Sequence, residues 1–279
     1  MLAATRVPLN VNQRRGQFLL SALEYVTPAA GEQRVSVAGA ELTADLGNPS
    51  ERLLYYATTN VVEWHRRDEL YSVLTSLSRT SGVFVDVGAN LGIFSLLARR
   101  HGLDAVLFEP ERRHAVFLER NASAFGIVRP WALSDTSGTA TFFVAGSHNL
   151  AASSLAPPGS DAEQALYESK TTVEVETFDG ALSRVGVDPA EVALIKVDVE
   201  GNEARTVRGM SDYLSNHAAP VWCEVRGPSS TRSRSSYEPV IAVMEAHGYR
   251  PHTSERGRPE AFRDHESSEV FDLLFLKRR

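Results

Sequence analysis

An apolar strand that runs without a break into a glycine-containing turn and a helix sets the tightest limit on how this chain can fold. Residues 83–87 are apolar except for one aspartate, residues 88–92 contain two glycines, and residues 93–100 have helical character. A strand without regular polar alternation is typical of parallel sheets that are covered by helices on both faces. The pattern therefore predicts an α/β fold built on a parallel sheet.

The alternation of strands and helices continues along the chain. Further strands are predicted at residues 105–108, 127–132, 192–197, 220–225 and 270–276. Further helices are predicted at residues 111–124, 178–185, 203–214 and 237–247. Parallel strands joined by crossover helices give a doubly wound, mostly parallel sheet, which binds its ligand at the carboxyl ends of the central strands.

A hairpin insertion is predicted within this domain, at residues 139–177. Residues 139–144 and 171–177 alternate as strands, and the loop of residues 145–170 between them is rich in Ser, Ala, Pro and Gly. A loop of this length in a compact domain usually has a function or moves. We therefore expect the insertion to contribute to the site.

The chain before the main domain carries mixed signals. A β-like run occupies residues 34–37, and apolar residues recur at helical spacing between residues 69 and 77. We predict that residues 1–80 form an N-terminal extension, a helical cap, ahead of the main domain at residues 81–279.

Composition excludes several classes of partner. The formal net charge is -6, which argues against nucleic acid because phosphate binding needs clustered positive charge. No run approaches the ~18 apolar residues of a membrane span. The single cysteine, Cys223, excludes an intramolecular disulfide and a thiol pair for zinc, and is interpreted as a buried strand residue. We expect a cytoplasmic protein that binds neither nucleic acid nor a membrane.

Two acidic positions indicate a nucleotide-like ligand. The glycine spacing in the turn is Gly-x-x-x-Gly, not the Gly-x-Gly-x-x-Gly of dinucleotide sites, so a nucleoside without a pyrophosphate is favoured. Glu109 ends the second strand about twenty residues later, where such folds place an acid for a ribose diol. The alternative is that Glu109 caps the following helix. Asp86 precedes the turn, either as a turn acid or as a contact to the rest of the ligand.

Four ordered motifs resemble those of FkbM-family methyltransferases. They are the stretches at residues 84–92 (FVDVGANLG), 108–110 (FEP), 132–135 (ALSD) and 195–203 (IKVDVEGNE). The resemblance covers residues from about 60 to 225. It implies a Rossmann-like class I methyltransferase fold and S-adenosylmethionine as the cofactor.

The resemblance also assigns residues to parts of the cofactor. It places Glu109 on the ribose and Leu133 and Ser134, with the preceding alanine, along the adenine edge. It places four further residues around the methionine portion: Asp86, Gly88, Asn90 and Gly92. Asn121 either helps at the adenine edge or is a plain residue of the helix surface.

Methyl transfer needs the acceptor's lone pair held opposite the sulfur, and an alcohol acceptor must also lose its proton. Strand alternation places Lys196, Asp198 and Glu200 on one side of the fourth strand if the strand geometry persists that far. We predict that Asp198 lies near the sulfonium and the acceptor, with Glu200 orienting its neighbours. The alternative is a structural ion pair with an N-cap.

Other candidates lie in the insertion and on the fifth strand. His148 is a candidate base because its intrinsic pKa suits proton transfer, although a solvated loop histidine is the alternative. With Asn149 and the Ser153-Ser154 pair, it resembles the family's segment over the active site. Glu224 either belongs to the pocket or is a strand-end acid. Its oxygens with those of Asp198 and Glu200 would suit magnesium, but no dedicated ligand spacing is present and we expect no metal.

The expected function is S-adenosylmethionine-dependent O-methylation of a hydroxyl on a small-molecule acceptor, a sugar or specialised metabolite of natural product biosynthesis. The acceptor class depends on the resemblance alone. N-methylation, carboxyl methylation and a non-catalytic nucleoside-binding protein stay open as alternatives. An NAD-type dehydrogenase would require the third glycine of the dinucleotide motif, and its absence argues against that class of enzyme. A homodimer is left open.

Overall fold

The structure is a computed structural model of the chain. It describes residues 31–37, 39–48, 51–52, 73–74, 81–146, 153–227, 237–255, 258–262 and 270–278.

Strands and helices alternate through the main domain, as predicted. The strands are β1 (Glu32–Val37), β2 (Ala40–Asp45), β3 (Val83–Val87), β4 (Asp104–Phe108), β5 (Ile127–Arg129), β6 (Trp131–Leu133), β7 (Gly138–Ala145), β8 (Tyr167–Glu176), β9 (Val192–Val197), β10 (Val221–Arg226), β11 (Tyr249–Glu255), β12 (Arg258–Ala261) and β13 (Val270–Lys277). The α-helices are α1 (Ile93–Arg100), α2 (Arg112–Arg120), α3 (Ala122–Phe125), α4 (Asp161–Gln164), α5 (Phe178–Val185), α6 (Glu203–Arg208), α7 (Ser211–Asn216) and α8 (Tyr237–Ala246).

The central sheet has eight strands in the described part of the chain, in the order β12-β11-β13-β10-β9-β3-β4-β5. Strands β5, β4, β3, β9 and β10 are paired in parallel, whereas β13 is antiparallel to β10. All five residues of β3 are buried, because it lies in the middle with helices on both faces. The mostly parallel doubly wound sheet predicted from the sequence is confirmed.

The two faces of this sheet build two apolar cores. One face packs against α1, α2, α3 and the β1–β2 hairpin, through side chains such as Leu96, Phe117 and Leu42. The other packs against α5, α6, α7 and α8, through side chains such as Phe178 and Met244. Because the five central strands β5, β4, β3, β9 and β10 run parallel between these two cores, their carboxyl ends meet at one edge of the sheet.

A second, three-stranded sheet holds the insertion, in the order β6-β8-β7. Strands β7 and β8 pair antiparallel, which confirms the predicted hairpin. The loop is shorter than expected, because β8 begins at Tyr167 and α4 lies within the predicted loop. The first residues of β8 are exposed on both faces, so they lack the alternation that would mark them as a strand.

The described part of the N-terminal region is a β-hairpin, β1 paired with β2, together with short helical stretches at residues 51–52 and 73–74. The β-like run at residues 34–37 is thereby confirmed. The other residues of the predicted helical cap lie outside the described residues. Asn121 docks the hairpin: its Oδ1 accepts the N–H of Thr43 at 2.8 Å, and its Nδ2 donates to the Thr43 carbonyl at 3.0 Å.

Three predicted elements are each divided in two. The strand predicted at 127–132 becomes β5 and β6, in different sheets, because Pro130 has no N–H with which to continue the ladder. The helix predicted at 203–214 breaks at Gly209, where a Cβ would lie 2.0 Å from the Ser134 carbonyl oxygen. The helix predicted at 111–124 breaks at Asn121, whose amide also donates to the Phe117 carbonyl.

Among the described residues, no helix is both long enough and apolar enough to span a membrane.

Candidate active site

The glycine turn after β3 is shaped by contacts within the protein. Gly88, Asn90 and Gly92 have positive φ angles of 78°, 52° and 71°. A Cβ on Gly88 would lie 1.9 Å from the backbone oxygen of Asp198, and a Cβ on Gly92 would lie 2.5 Å from the Phe125 ring. Sequence reasoning assigned these glycines to a tight turn and to ligand approach. The structure adds that both are required where neighbouring elements touch the turn.

Glu109 joins the glycine turn to the start of α2. One carboxylate oxygen accepts the N–H of Asn90 at 2.7 Å, and the other accepts the N–H of Glu111 at 2.8 Å. The bond to Glu111 is of the kind that the helix-cap alternative required, but the bond to Asn90 ties the same carboxylate to the turn. Burial raises the pKa of Glu109 to about 7, against the lowering effect of these two hydrogen bonds. Its role on a ribose stays a prediction.

Asp86, at the end of β3, is fully buried beside the turn. Its Oδ2 accepts a hydrogen bond from Ser95 at 2.7 Å, and its Oδ1 lies 3.5 Å from the Lys196 ammonium. Burial raises the pKa of Asp86, and Lys196 opposes that rise. Lys196 also lies 3.2 Å from Asp198, whose side chain is 15% exposed. The structure thus brings Lys196 and Asp198 together on one side of β9, as predicted.

The third motif, residues 132–135, is hydrogen-bonded to the fourth motif, residues 195–203, and to the helix that follows it. The Leu133 carbonyl accepts hydrogen bonds from the Thr206 hydroxyl at 2.9 Å and from the Asn202 amide at 3.2 Å. Ser134 is buried and its hydroxyl lies 3.4 Å from the same amide. These contacts fix the segment predicted to line the adenine edge. Asn121, by contrast, is buried and binds the β1–β2 hairpin through its amide, so it is not a plain residue of the helix surface, and its role at the adenine edge stays a prediction.

Glu200 follows β9 in an unusual backbone conformation. Its φ is 54°, which is uncommon for a residue with a side chain. Glu203 holds the turn by accepting the N–H groups of Val199 and Gly201, and the Glu200 carboxylate pairs with Arg226. Strained residues of this kind cluster at functional sites.

Three carboxylates converge at the ends of β9 and β10. An oxygen of each of Asp198, Glu200 and Glu224 can be chosen so that all three lie within 4.8 Å of one another. This confirms the proximity that a divalent cation would need, but exposed acids often group without one. The expectation that the protein needs no metal stays a prediction.

The insertion is anchored at the same edge of the sheet. Ser153 donates to Glu111 at 2.5 Å, and Ser154 donates to the Glu200 carbonyl at 2.7 Å. Arg113 pairs with Glu111 and donates to the Ala145 carbonyl at 2.9 Å. The insertion therefore contacts both the turn after β4 and the turn after β9. His148 and Asn149 lie outside the described residues, so the predicted base is not placed.

Sequence reasoning missed several residues that hold this site. Glu111 and Arg113 anchor the insertion, Arg226 pairs with Glu200, and Asn202 joins two motifs. The first two are separated from their partners by more than thirty residues, so no local pattern marks them. Asn202 could have been suspected, because it lies within the fourth motif and begins a helix without capping it.

Comparison with known proteins finds one matching family model and several similar solved structures. The family model described as the methyltransferase FkbM domain matches residues 86–251. The chain resembles the solved structure of methyltransferase FkbM from Methylobacillus flagellatus, with a TM-score of 0.41 and 16% identity over 81% of this chain and 53% of that one. It therefore spans about half the length of that protein.

Two further solved structures are similar at lower identity. One is a TehB-like SAM-dependent methyltransferase from Corynebacterium glutamicum, with a TM-score of 0.46 and 13% identity over 83% of this chain and 97% of that one. The other is magnesium protoporphyrin IX methyltransferase from Synechocystis with bound SAM, with a TM-score of 0.43 and 8% identity over 77% and 79% of the two chains. No curated protein matches the chain in sequence.

Proposed function

The chain belongs to the FkbM family of methyltransferases, whose methyl donor is S-adenosylmethionine, and from this premise we propose that it methylates a hydroxyl oxygen of a small molecule. The acceptor would be a sugar or a specialised metabolite. The observation that supports O-methylation is the Asp198 carboxylate, which is partly exposed at the end of β9 and ion-paired with Lys196. A carboxylate there can accept the proton that an attacking alcohol must lose.

The residues of the site fit this donor. Within the described residues, the buried Asp86 Oδ1 accepts no hydrogen bond and has the Lys196 ammonium 3.5 Å away, so a lone pair is left beside the glycine turn for a donor group such as an amino-acid ammonium. Glu109 offers further lone pairs to a ribose diol, since each of its oxygens accepts one backbone N–H and can accept more. When bound, S-adenosylmethionine supplies an electrophilic methyl group on a positively charged sulfur.

The chain's own residues then position the acceptor and move its proton. With the donor bound, Asp198 would accept the proton that the hydroxyl loses as its oxygen takes the methyl group from the sulfonium, which would leave as a neutral thioether. Glu200 and its partner Arg226 border this carboxylate. Ser153 and Ser154 fix one end of the insertion beside it. Such positioning accounts for much of the rate of a displacement reaction.

Donor binding is tested by calorimetry with S-adenosylmethionine and S-adenosylhomocysteine. We expect both to bind the wild-type protein, and Glu109→Ala to weaken binding by about 1–3 kcal/mol because two ribose hydroxyls lose their acceptor. Glu119→Ala is the matched control, since this glutamate lies on the exposed side of α2 and pairs only with Arg112 among the described ion pairs. If the folded wild-type protein bound neither compound, the proposal would be wrong.

Acceptor chemistry is tested by a mass-shift screen of hydroxylated metabolites, followed by Asp198→Asn. With a true alcohol acceptor, we expect this variant to lose about 10²–10⁴-fold in turnover because the proton has no carboxylate to receive it. An ionised carboxylate acceptor, or a neutral amine, would need no such base. Turnover that survives in Asp198→Asn would therefore favour N-methylation or carboxyl methylation over the proposed O-methylation.

A further inference from the structure

Lys196 places one ammonium group between the two acids of the site. Its Nζ lies 3.2 Å from Asp198 Oδ2 and 3.5 Å from Asp86 Oδ1, and it donates to the Gly88 carbonyl at 3.2 Å. The residue is 2% exposed, and its ammonium lies 5.1 Å from the centre of the Phe94 ring. One side chain thus links the acid beside the glycine turn to the acid at the acceptor end.

The three charged groups do not balance. Two carboxylates and one ammonium leave one excess negative charge at a site that is largely closed to water. An uncompensated charge in such a place is costly and is retained where a ligand or partner neutralises it. The donor and the demethylated product both carry an amino-acid ammonium and a carboxylate, whose charges cancel, and only the donor also carries a positive charge on its sulfur. The excess charge therefore matches the donor and not the product.

Resting on the proposed function, we propose that Lys196 is a positioning residue that keeps Asp86 and Asp198 ionised together, so that these three groups carry one excess negative charge and recognise the sulfonium of the donor over the neutral thioether. Without the ammonium, two carboxylates on neighbouring strands would share a proton, as close carboxylate pairs do. The role is electrostatic and acts through the two aspartates.

The charge stays balanced through the reaction. Before transfer, the excess negative charge faces the sulfonium. After transfer, the sulfur is neutral and the hydroxyl proton resides on Asp198, so the pocket is neutral as well. Loss of that proton to water restores the excess negative charge, which then favours exchange of the product for a new donor.

Other charged groups act on the same carboxylates. Asp198 is also near Glu200, Glu203 and Glu224, and Glu109 is within electrostatic range of Lys196. Arg226 neutralises Glu200. Glu109 faces the predicted ribose, which the donor and the product share. Glu109 and the other acids are present in every variant, so their charges cancel when the ratio of affinities is taken relative to wild type at each pH.

The experiment measures the affinities for S-adenosylmethionine and S-adenosylhomocysteine between about pH 6 and about pH 8, and follows their ratio relative to wild type at each pH. The titration of the free ligands is the same for every protein and cancels. We expect Lys196→Met to show a ratio that rises about tenfold with pH, as the shared proton leaves the two aspartates. Lys196→Arg keeps the charge and should follow wild type.

Two further variants make the inference falsifiable even if Lys196→Met does not fold. Asp198→Asn leaves Asp86 paired with Lys196 and no excess charge, so its preference for the donor should fall at least about fivefold at every pH. Adding Asp198→Asn to Lys196→Met should abolish the pH dependence of the ratio. If Asp198→Asn kept the wild-type ratio, or a folded Lys196→Met followed wild type at every pH, Lys196 would have only a structural role. Failure of the wild-type protein to bind either compound would instead reject the proposed function.

Discussion

Gly88 and Gly186 have nearly the same positive φ angle in different surroundings. Their φ angles are 78° and 74°. A Cβ on Gly88 would overlap the Asp198 carbonyl at 1.9 Å, whereas a Cβ on Gly186 would meet nothing within 4 Å. Comparing alanine substitutions at these two glycines therefore distinguishes the free-energy cost of a positive φ angle from the additional cost of a steric overlap.

Alanine at the two positions should therefore have unequal effects. We expect Gly186→Ala to lower the free energy of unfolding by about 1 kcal/mol, the ordinary cost of a left-handed alanine. Gly88→Ala adds displacement of the Asp198 backbone and should cost about 3–5 kcal/mol and abolish donor binding. Chemical denaturation and calorimetry measure both effects. Equal losses in the two variants would show that the contact with Asp198 does not limit this turn.

The raised pKa of Glu109 should appear in the pH dependence of stability. Because its pKa of about 7 in the folded chain exceeds the ordinary 4.5, the folded state binds this proton more tightly than the unfolded state does. That contribution is complete below about pH 4.5 and is lost as the pH rises through about 7. The free energy of unfolding of wild type, relative to Glu109→Gln, should thus fall by about 2–3 kcal/mol across this interval. A difference that stays constant with pH would contradict it.

For single residues, the sequence predicted the positions of the acidic side chains in the site but not their hydrogen-bond and ion-pair partners. Asp86 is the penultimate residue of β3, and Glu109 and Asp198 directly follow β4 and β9, and strand ends can be read from apolar runs. The partners of Asp86 and Glu109 come from other elements: Lys196 reaches Asp86 from β9, and Asn90 binds Glu109 through a backbone N–H. Pairings of this kind follow from the tertiary structure, which no local spacing records.

Arg113 connects two elements, the start of α2 and the insertion. It pairs with Glu111, which is buried, and with Glu168 on β8, and it donates to the carbonyl at the end of β7. Burial works to raise the pKa of Glu111, but hydrogen bonds from Arg113 and Ser153 outweigh it, so the pKa lies below its ordinary value. Glu111 is therefore a buried carboxylate that depends on its partners.

Removing Arg113 should loosen the insertion before it affects the central sheet. We expect Arg113→Ala to cost about 2–3 kcal/mol, since it leaves Glu111 buried without its cation. Hydrogen exchange should increase in β7 and β8 and stay unchanged in β3 and β9. Arg99→Ala, which breaks an exposed ion pair with Asp104, is the control and should change neither. An even increase over the whole chain would mean that the anchor supports the global fold instead.

The boundaries of helices and strands could be predicted where the residues that end them are neighbours in the sequence. The bounds of α1, α5 and β9 match the predictions, because each lies between glycines, turns or caps that can be read directly. The breaks at Pro130 and Gly209 were missed. Pro130 was included in a strand although it cannot donate to a ladder, and Gly209 bends the chain because a neighbouring carbonyl needs the space.

For the whole molecule, the topology of the parallel strands was predictable and the far edge of the sheet was not. Alternating strands and helices restrict parallel sheets to right-handed crossovers, which leaves few arrangements. Strand β13, by contrast, inserts antiparallel between β10 and β11, and β12 extends the edge. Strands β11 and β12 contain prolines and charged residues, so their sequences show little strand pattern.

The change of sheet at Pro130 has a consequence for recombining this protein with relatives. Residues 131–176 contain β6, β7 and β8, which are the three strands of the second sheet. Exchanging this segment would therefore break no backbone hydrogen bonds between strands of the central sheet. Such a chimera would import a foreign hairpin together with Leu133 and Ser134, the residues predicted to line the adenine edge of the donor. The transplanted segment would also have to hydrogen-bond to Glu111, Arg113 and Thr206, because these three residues lie outside it and bind Ser153, Ala145 and Leu133 within it.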